Sequence, residues 1–293
     1  VLDTLDHVLL LVRDLRGAEA RTAALLRRRA SWRGAHPGAG TENVLFRLEN
    51  TYLELLSPSG GPGPIGEGLA ARLEAEGEGL LGMAFGTTDV AGWATDLRER
   101  GIAVGEPAAG MGRDEESGAM RRWRNAFLPV SASRGPLVFA IEHDSPPDAL
   151  ALRPPDPPEE AAVVGLDHIV VASRDLEASR ALYAQLLGLR LALDRRFDER
   201  GLHMLFFRVG GVTVEVVGTL GAPAESDAPD HLSGLAWRVP DADAAREARI
   251  ADGFDVTPVR DGHKPGTRVC TVRDGTCGVP TLLIEPAPRV SRS

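Results

Sequence analysis

A chain of 293 residues suits about two domains, and a hydrophobic content of 43% is enough to give each a core. The formal net charge of -9 disfavours nucleic acid or an anionic membrane surface as a partner. No apolar run reaches the roughly eighteen residues of a membrane span and no leader precedes Leu5, so no membrane partner and a cytoplasmic location are expected.

Along the chain, His7, Leu9 and Leu11 alternate with Val8, Leu10 and Val12, which reads as a buried strand. Asp14 stands where a helix N-cap is needed, because its carboxylate can accept from the free amides of the first turn. The helix then carries Leu15, Thr22, Leu25 and Leu26, and strands over 44–48 and 51–56 form a hairpin. Residues 57–68 are dense in Gly and Pro and read as a mobile connection, followed by a helix over 69–76. Gly61-Pro62-Gly63-Pro64-Ile65-Gly66 has the spacing of a dinucleotide fingerprint, but its two prolines lack the amides that a pyrophosphate needs. A strand over 81–87 follows, with a cap at Thr88-Asp89. Val90, Trp93, Ala94 and Leu97 then fall on one helix face. Residues 105–118 read as irregular, and strands over 121–127 and 137–142 close the unit. Six prolines between 146 and 158 predict an extended surface linker and a domain boundary.

The second half repeats the first. Leu5-Asp6-His7 returns as Leu166-Asp167-His168, and Tyr52-Leu53-Glu54-Leu55-Leu56 lands without a gap on Thr213-Val214-Glu215-Val216-Val217, so a His and a Glu are equally spaced in both halves. Asp175 caps the helix of Leu176, Tyr183, Leu186 and Leu187. Strands over 204–209 and 212–217 flank Gly210-Gly211. A fourth unit runs from a strand over 234–239, through a cap at Asp241 or Asp243 and a helix to Asp252, to strands over 268–272 and 281–285. Cys270 and Cys277 match no disulfide framework, zinc or redox spacing and read as reduced thiols.

Strand parity says which side chains can meet. A two-residue turn at Gly210-Gly211 pairs Phe206 with Glu215 and puts Met204, Phe206, Arg208, Thr213 and Glu215 on one face. The same count about Glu49-Asn50 groups Asn43, Leu45, Arg47, Tyr52 and Glu54, and it turns His203 toward the helix side as a structural histidine. Arg47 and Arg208 suit an anionic substrate group or a neighbouring carboxylate. His36 suits a substrate contact or a turn, and His263, in a polar loop, suits solvent.

Four units of strand, helix and strands, each half opening on Leu-Asp-His and carrying a Glu on a late strand, resemble the vicinal oxygen chelate superfamily of glyoxalase I, extradiol dioxygenases and bleomycin-resistance proteins. The first half further resembles glyoxalase-like domains marked by His36-Pro37-Gly38, Gly40-Thr41, Asn43 and Tyr52-Leu53-Glu54-Leu55. The resemblance implies an α+β fold of four tandem βαβββ modules paired into two cup-shaped eight-stranded sheets. The domains would be 1–145 and 165–293, joined by a linker over 146–164. It further implies a divalent metal (Fe, Mn, Zn or Mg) held by His7, Glu54 and Glu142 in the first cup or by His168, Glu215 and Glu285 in the second, with Glu215 and Glu285 as catalytic groups. The remaining family ligand, a His opening the second unit of each pair, falls near Gly82 and Gly234, where none stands. His231 could substitute through a bulge. Substrate contacts would come from Arg208, Phe206, Met204, Asn43, Arg47 and His36.

The function implied first is a metal-dependent lyase or isomerase acting on a small oxygenated substrate, the metal stabilising an enolate-like intermediate while a carboxylate or bound water moves the proton. The alternative is a metal-free binding protein for an antibiotic or metabolite, and a third reading is an extradiol-type dioxygenase. Either partner is a small molecule, and a homodimer is compatible with each reading.

Overall fold

The structure is a computed structural model and describes residues 1–36, 38–225 and 228–288. Pro37 of the His-Pro-Gly motif lies outside the described residues. The first half runs β1 (Thr4–Leu11), α1 (Leu15–Leu26), β2 (Trp32–His36), β3 (Thr41–Arg47), β4 (Tyr52–Pro58), α2 (Pro64–Glu76), β5 (Gly79–Gly86), α3 (Val90–Glu99), β6 (Ala108–Asp114), β7 (Met120–Phe127), α4 (Val130–Ser133) and β8 (Leu137–His143). The second runs β9 (Gly165–Ala172), α5 (Leu176–Arg180) continued by a π-turn (Ala181–Leu186), β10 (Arg190–Phe197), β11 (Leu202–Val209), β12 (Val212–Thr219), β13 (His231–Arg238), α6 (Ala242–Ala251), β14 (Arg260–Asp261), β15 (Arg268–Val272) and β16 (Thr281–Glu285). These are four βαβββ modules with α2 inserted after the first.

The halves use the same pairings with different outcomes. In the first, the order β1-β4-β3-β2-β6-β7-β8-β5 closes on itself as a barrel, whereas the second is an eight-stranded sheet, β10-β11-β12-β9-β13-β16-β15-β14, with two free edges. His7 lies opposite Tyr52 and His168 opposite Thr213, so the repeat read from the sequence is also a repeat in space. The hairpin registers follow the parity count, with Phe206 opposite Glu215 and Leu45 opposite Glu54. The Asp14, Asp89, Asp175 and Asp241 side chains all accept from first-turn amides as N-caps.

Residues 105–118, read as irregular, contain β6. Its glycines let an indole lie flat against the strand: a Cβ added at Gly110 would sit 2.3 Å from Trp123 Nε1. The connection over 57–68 is likewise built in. Pro64 occupies the first turn of α2, and Gly66 packs so closely on the connection between β2 and β3 that an added Cβ would lie 2.1 Å from the Gly40 carbonyl oxygen.

Both ends of the barrel are stoppered. Leu69 and Leu73 of α2 pack on the inward-facing Leu9, Leu11 and Leu56. At the other end Leu150, from the proline-rich segment, is buried against Trp32, Leu45 and Tyr52. That segment holds no regular α-helix or sheet strand, only two short 3-10 turns, and it is tied to the first half where Asp156 N–H donates to the Arg27 carbonyl. A single apolar core runs through both halves on the helix side of the sheets. Within it Arg249 of α6 is fully buried and donates to the carbonyls of Leu25, Ala161 and Ala245, which joins α6 to α1 and to the end of the linker.

Candidate functional site

In the first barrel the repeated His-Glu pair lies inside a continuous polar chain. His7 Nδ1 is 2.8 Å from Asp6 Oδ1 and its Nε2 is 3.3 Å from Glu54 Oε2. Asn43 Nδ2 donates to Glu54 Oε1 at 2.8 Å and lies 3.4 Å from His36 Nε2, while His36 Nδ1 meets Thr41 Oγ1 at 2.9 Å. At the other end His143 Nε2 is 3.0 Å from Asp6 Oδ2. His7 stacks on Tyr52 with 4.5 Å between centroids, and the Arg121 guanidinium faces the rings of Trp32, Tyr52 and Trp123. His7, Asn43 and Glu54 are all buried, and Asn43 Oδ1 has no hydrogen-bond partner. Arg47 shares the inward register with Tyr52 and is half-buried.

The second sheet carries a shorter version. His168 Nδ1 is 2.9 Å from Asp167 Oδ1 and 3.7 Å from Glu215 Oε1. Phe206, Met204 and Arg208 lie on the same face by register, with Phe206 and Met204 half-buried and Arg208 exposed. Burial raises the Glu215 carboxyl above its ordinary range. For His168, burial alone would lower the pKa, but the hydrogen bond to Asp167 and the charge of Glu215 outweigh it and raise the imidazole. His203 turns to the opposite side of the sheet and meets Asp194 at 2.6 Å.

Glu142 and Glu285 do not join these clusters. Glu142 accepts from the Val90 amide at 2.9 Å and from Arg124 at 2.7 Å; Glu285 accepts from the Ala242 amide at 2.9 Å and lies 3.4 Å from Arg268. Each caps the helix of its own module. The reason is parity. Ala84 stands opposite His7 with Phe139 beside it, so the position matching Glu54 is Ile141; Ala236 stands opposite His168 with Leu282 beside it, so the position matching Glu215 is Ile284. The carboxylates are one residue further on and therefore face the helices. The residues facing the two histidines are thus Ala84 and Ala236, two positions beyond Gly82 and Gly234. A bulge does fall between Leu232 and Gly234, but His231 is exposed in a groove between the halves that Glu78 and Pro280 also line. At the repeated ligand positions each cup therefore keeps only its His-Glu pair. Among the described residues no group of three or more His, Cys, Asp or Glu side chains is arranged to hold a metal ion. The three-ligand metal set does not fit either cup.

Sequence reasoning overlooked Asp6, Asp167, His143 and Arg121. The signal for the first two was present, since Leu-Asp-His occurs in both halves and an Asp beside a buried imidazole orients it. Arg121 becomes a neighbour of the pair through barrel closure, and His143 through β5, which pairs with both β1 and β8.

Paired βαβββ modules with a His on the first strand and a Glu on the fourth define a glyoxalase-type architecture. Residues 5–163, more than half of the chain, match the family described as Glyoxalase-like domain, and residues 167–271 match the Glyoxalase/Bleomycin resistance protein/Dioxygenase superfamily. The chain belongs to this vicinal oxygen chelate superfamily. A triple mutant of 4-hydroxymandelate synthase from Streptomyces coelicolor has a similar structure, with a TM-score of 0.68 and 16% identity over 98% of this chain and 94% of that one. A hypothetical protein from Staphylococcus aureus superposes with a TM-score of 0.64 and 12% identity over 95% and 97%. At these identities the likeness shows the fold alone. The uncharacterized protein YqjC of Bacillus subtilis (strain 168) is 31% identical over 67 residues, 23% of this chain, and the match spans 45% of that protein's length. No helix of the described residues is long and apolar enough to cross a membrane.

Proposed function

We propose that the protein binds a small oxygenated molecule on the open face of its second sheet, where His168 and Glu215 hold or exchange a proton with it. One observation supports this most. The His-Glu pair occurs twice, but the first copy lies in a barrel stoppered at both ends, while the second lies on a sheet whose Leu193, Arg195 and Arg208 are exposed. His168 and Glu215 both retain protons more tightly than their free counterparts, which suits a pair that shares or passes one. The first barrel then serves as the scaffold against which the second half is built.

NMR screening of small oxygenated compounds should yield ligands that shift the amides of β9, β11 and β12. His168→Ala and Glu215→Gln should each abolish those shifts, and Glu54→Gln should leave them. Ligands that perturb only first-barrel amides would overturn the reading. The metal-dependent lyase or isomerase reading requires a third ligand, and the candidate for it, Glu285, is turned to a helix N-terminus; stoichiometric divalent metal that His168→Ala removes from the purified protein would revive it. The dioxygenase reading lacks an imidazole at the position facing each histidine, where Ala84 and Ala236 stand.

A further inference from the structure

We infer that the ligand of the second sheet is an organic anion, a small carboxylate on an apolar body, an inference that rests on this sheet being the ligand face. Arg195 on β10 lies opposite Met204, and Met204, Phe206 and Arg208 alternate along β11, so both arginines project from the face that carries Glu215 and His168. Arg195 lies 4.8 Å over the ring of Phe197, which holds it above the sheet. Neither guanidinium forms a direct ion pair with a described carboxylate, those of Asp167, Asp194 and Glu215 being paired with other side chains. The nearby carboxylates are already engaged, Asp167 at 2.9 Å and Glu215 at 3.7 Å from His168 Nδ1. Asp194, between the strand's arginines, projects to the other side and pairs with Arg180 and His203. The face thus carries two cations without a direct ion pair, of which Arg208 is near enough to Asp167 and Glu215 for its charge to favour their ionised forms, while Arg195 has only its ring contact.

Its remaining surface is apolar. Leu193 is 46% exposed, and Phe197, Met204 and Phe206 are half-buried around it, so contiguous apolar area is left in water unless something covers it. A guanidinium presents a planar fork that matches a carboxylate with two parallel hydrogen bonds. Guanidinium groups without a direct ion pair, beside half-buried aromatic and exposed aliphatic groups, select a ligand with an anionic head and an apolar body over a neutral or cationic one. Entry is available along the free edges: β10 and β14 share no backbone pairing and approach through Arg200 and His263, 2.6 Å apart.

The test is an NMR titration of the full chain with benzoate and with its neutral counterpart benzamide at low salt. Benzoate should shift second-sheet amides at roughly tenfold lower concentration than benzamide, and Arg195→Gln and Arg208→Gln should each weaken benzoate by about tenfold while leaving benzamide unchanged. Equal binding of the two compounds at the second sheet would leave the ligand face standing and overturn the anionic preference. Unchanged benzoate affinity in both variants would overturn the role of the arginines. Absence of any second-sheet shift with either compound would count against both the preference and the ligand face.

Discussion

Asp6 places one carboxylate between two imidazoles, His7 at 2.8 Å and His143 at 3.0 Å. Burial would raise its pKa, but the hydrogen bonds from the two histidines outweigh burial and hold the carboxyl well below the ordinary range. The sign follows from linkage. The unfolded chain, with an Asp pKa of about 3.9, takes up the proton first as pH falls, so the stabilisation is complete above that value and is lost as pH drops toward the folded-state pKa. Asp6→Asn should cost roughly 3 kcal/mol at pH 7, because it removes the carboxylate partner of the buried His7 and of the half-buried His143. The variant should then lose less stability than the parent between about pH 5 and pH 3. Urea unfolding at the two pH values checks this, and parallel losses in both proteins would show that Asp6 is not the linked group. His7, His168, Glu54 and Glu215 were legible because duplication marks them. Asp6 was visible in the same motif but carries no period or spacing of its own, and its importance emerges only when β8 brings His143 to it.

At the scale of elements, the decisive quantity is register. Gly210 and Gly211 form a two-residue turn, which ties β11 to β12 without ambiguity, and the inward set predicted there matches the structure. No such turn links β7 to β8 or β15 to β16, where longer connections leave parity unspecified, and it is on β8 and β16 that Glu142 and Glu285 point to the helix side. As caps, each should contribute about 1 kcal/mol, so Glu142→Ala and Glu285→Ala are expected to lower stability by about that amount without altering ligand binding at the second sheet. Thermal melts and the benzoate titration measure the two effects separately. Loss of binding in Glu285→Ala would return that residue to the site. The strands that sequence reading missed are β2, β6, β10 and the two-residue β14. β6 is glycine-rich, and β10 is a largely exposed edge strand with four charged residues, so neither shows the apolar alternation that marks a half-buried strand.

The whole molecule shows how one ancestral plan reached two end states. Duplication and the four-module order were legible from repeated motifs; closure of one cup and not the other was not. Closure depends on two backbone pairs, Gly34 with Asp114 and Ala35 with Arg113, and on glycines that accommodate Trp32 and Trp123 at that seam. The equivalent strand in the second half, β14, is only two residues long and pairs with β15 alone. The proline-rich segment likewise reads as a spacer until Leu150 is seen in the barrel mouth. A stopper made of one side chain has a definite leak. Exposing a buried leucine costs about 1.5 to 3 kcal/mol, so the barrel should stand uncorked in roughly one molecule in ten to one in a hundred and fifty at any instant. Leu150→Ala should raise that fraction, and relaxation-dispersion NMR at Tyr52 and Leu45 would register the exchange; flat dispersion in both proteins would mean that His7 and Glu54 are permanently shut off from solvent. If the exchange is present, the buried acid–base chain of the first half is held in reserve, sealed in the resting population and accessible through a minor one.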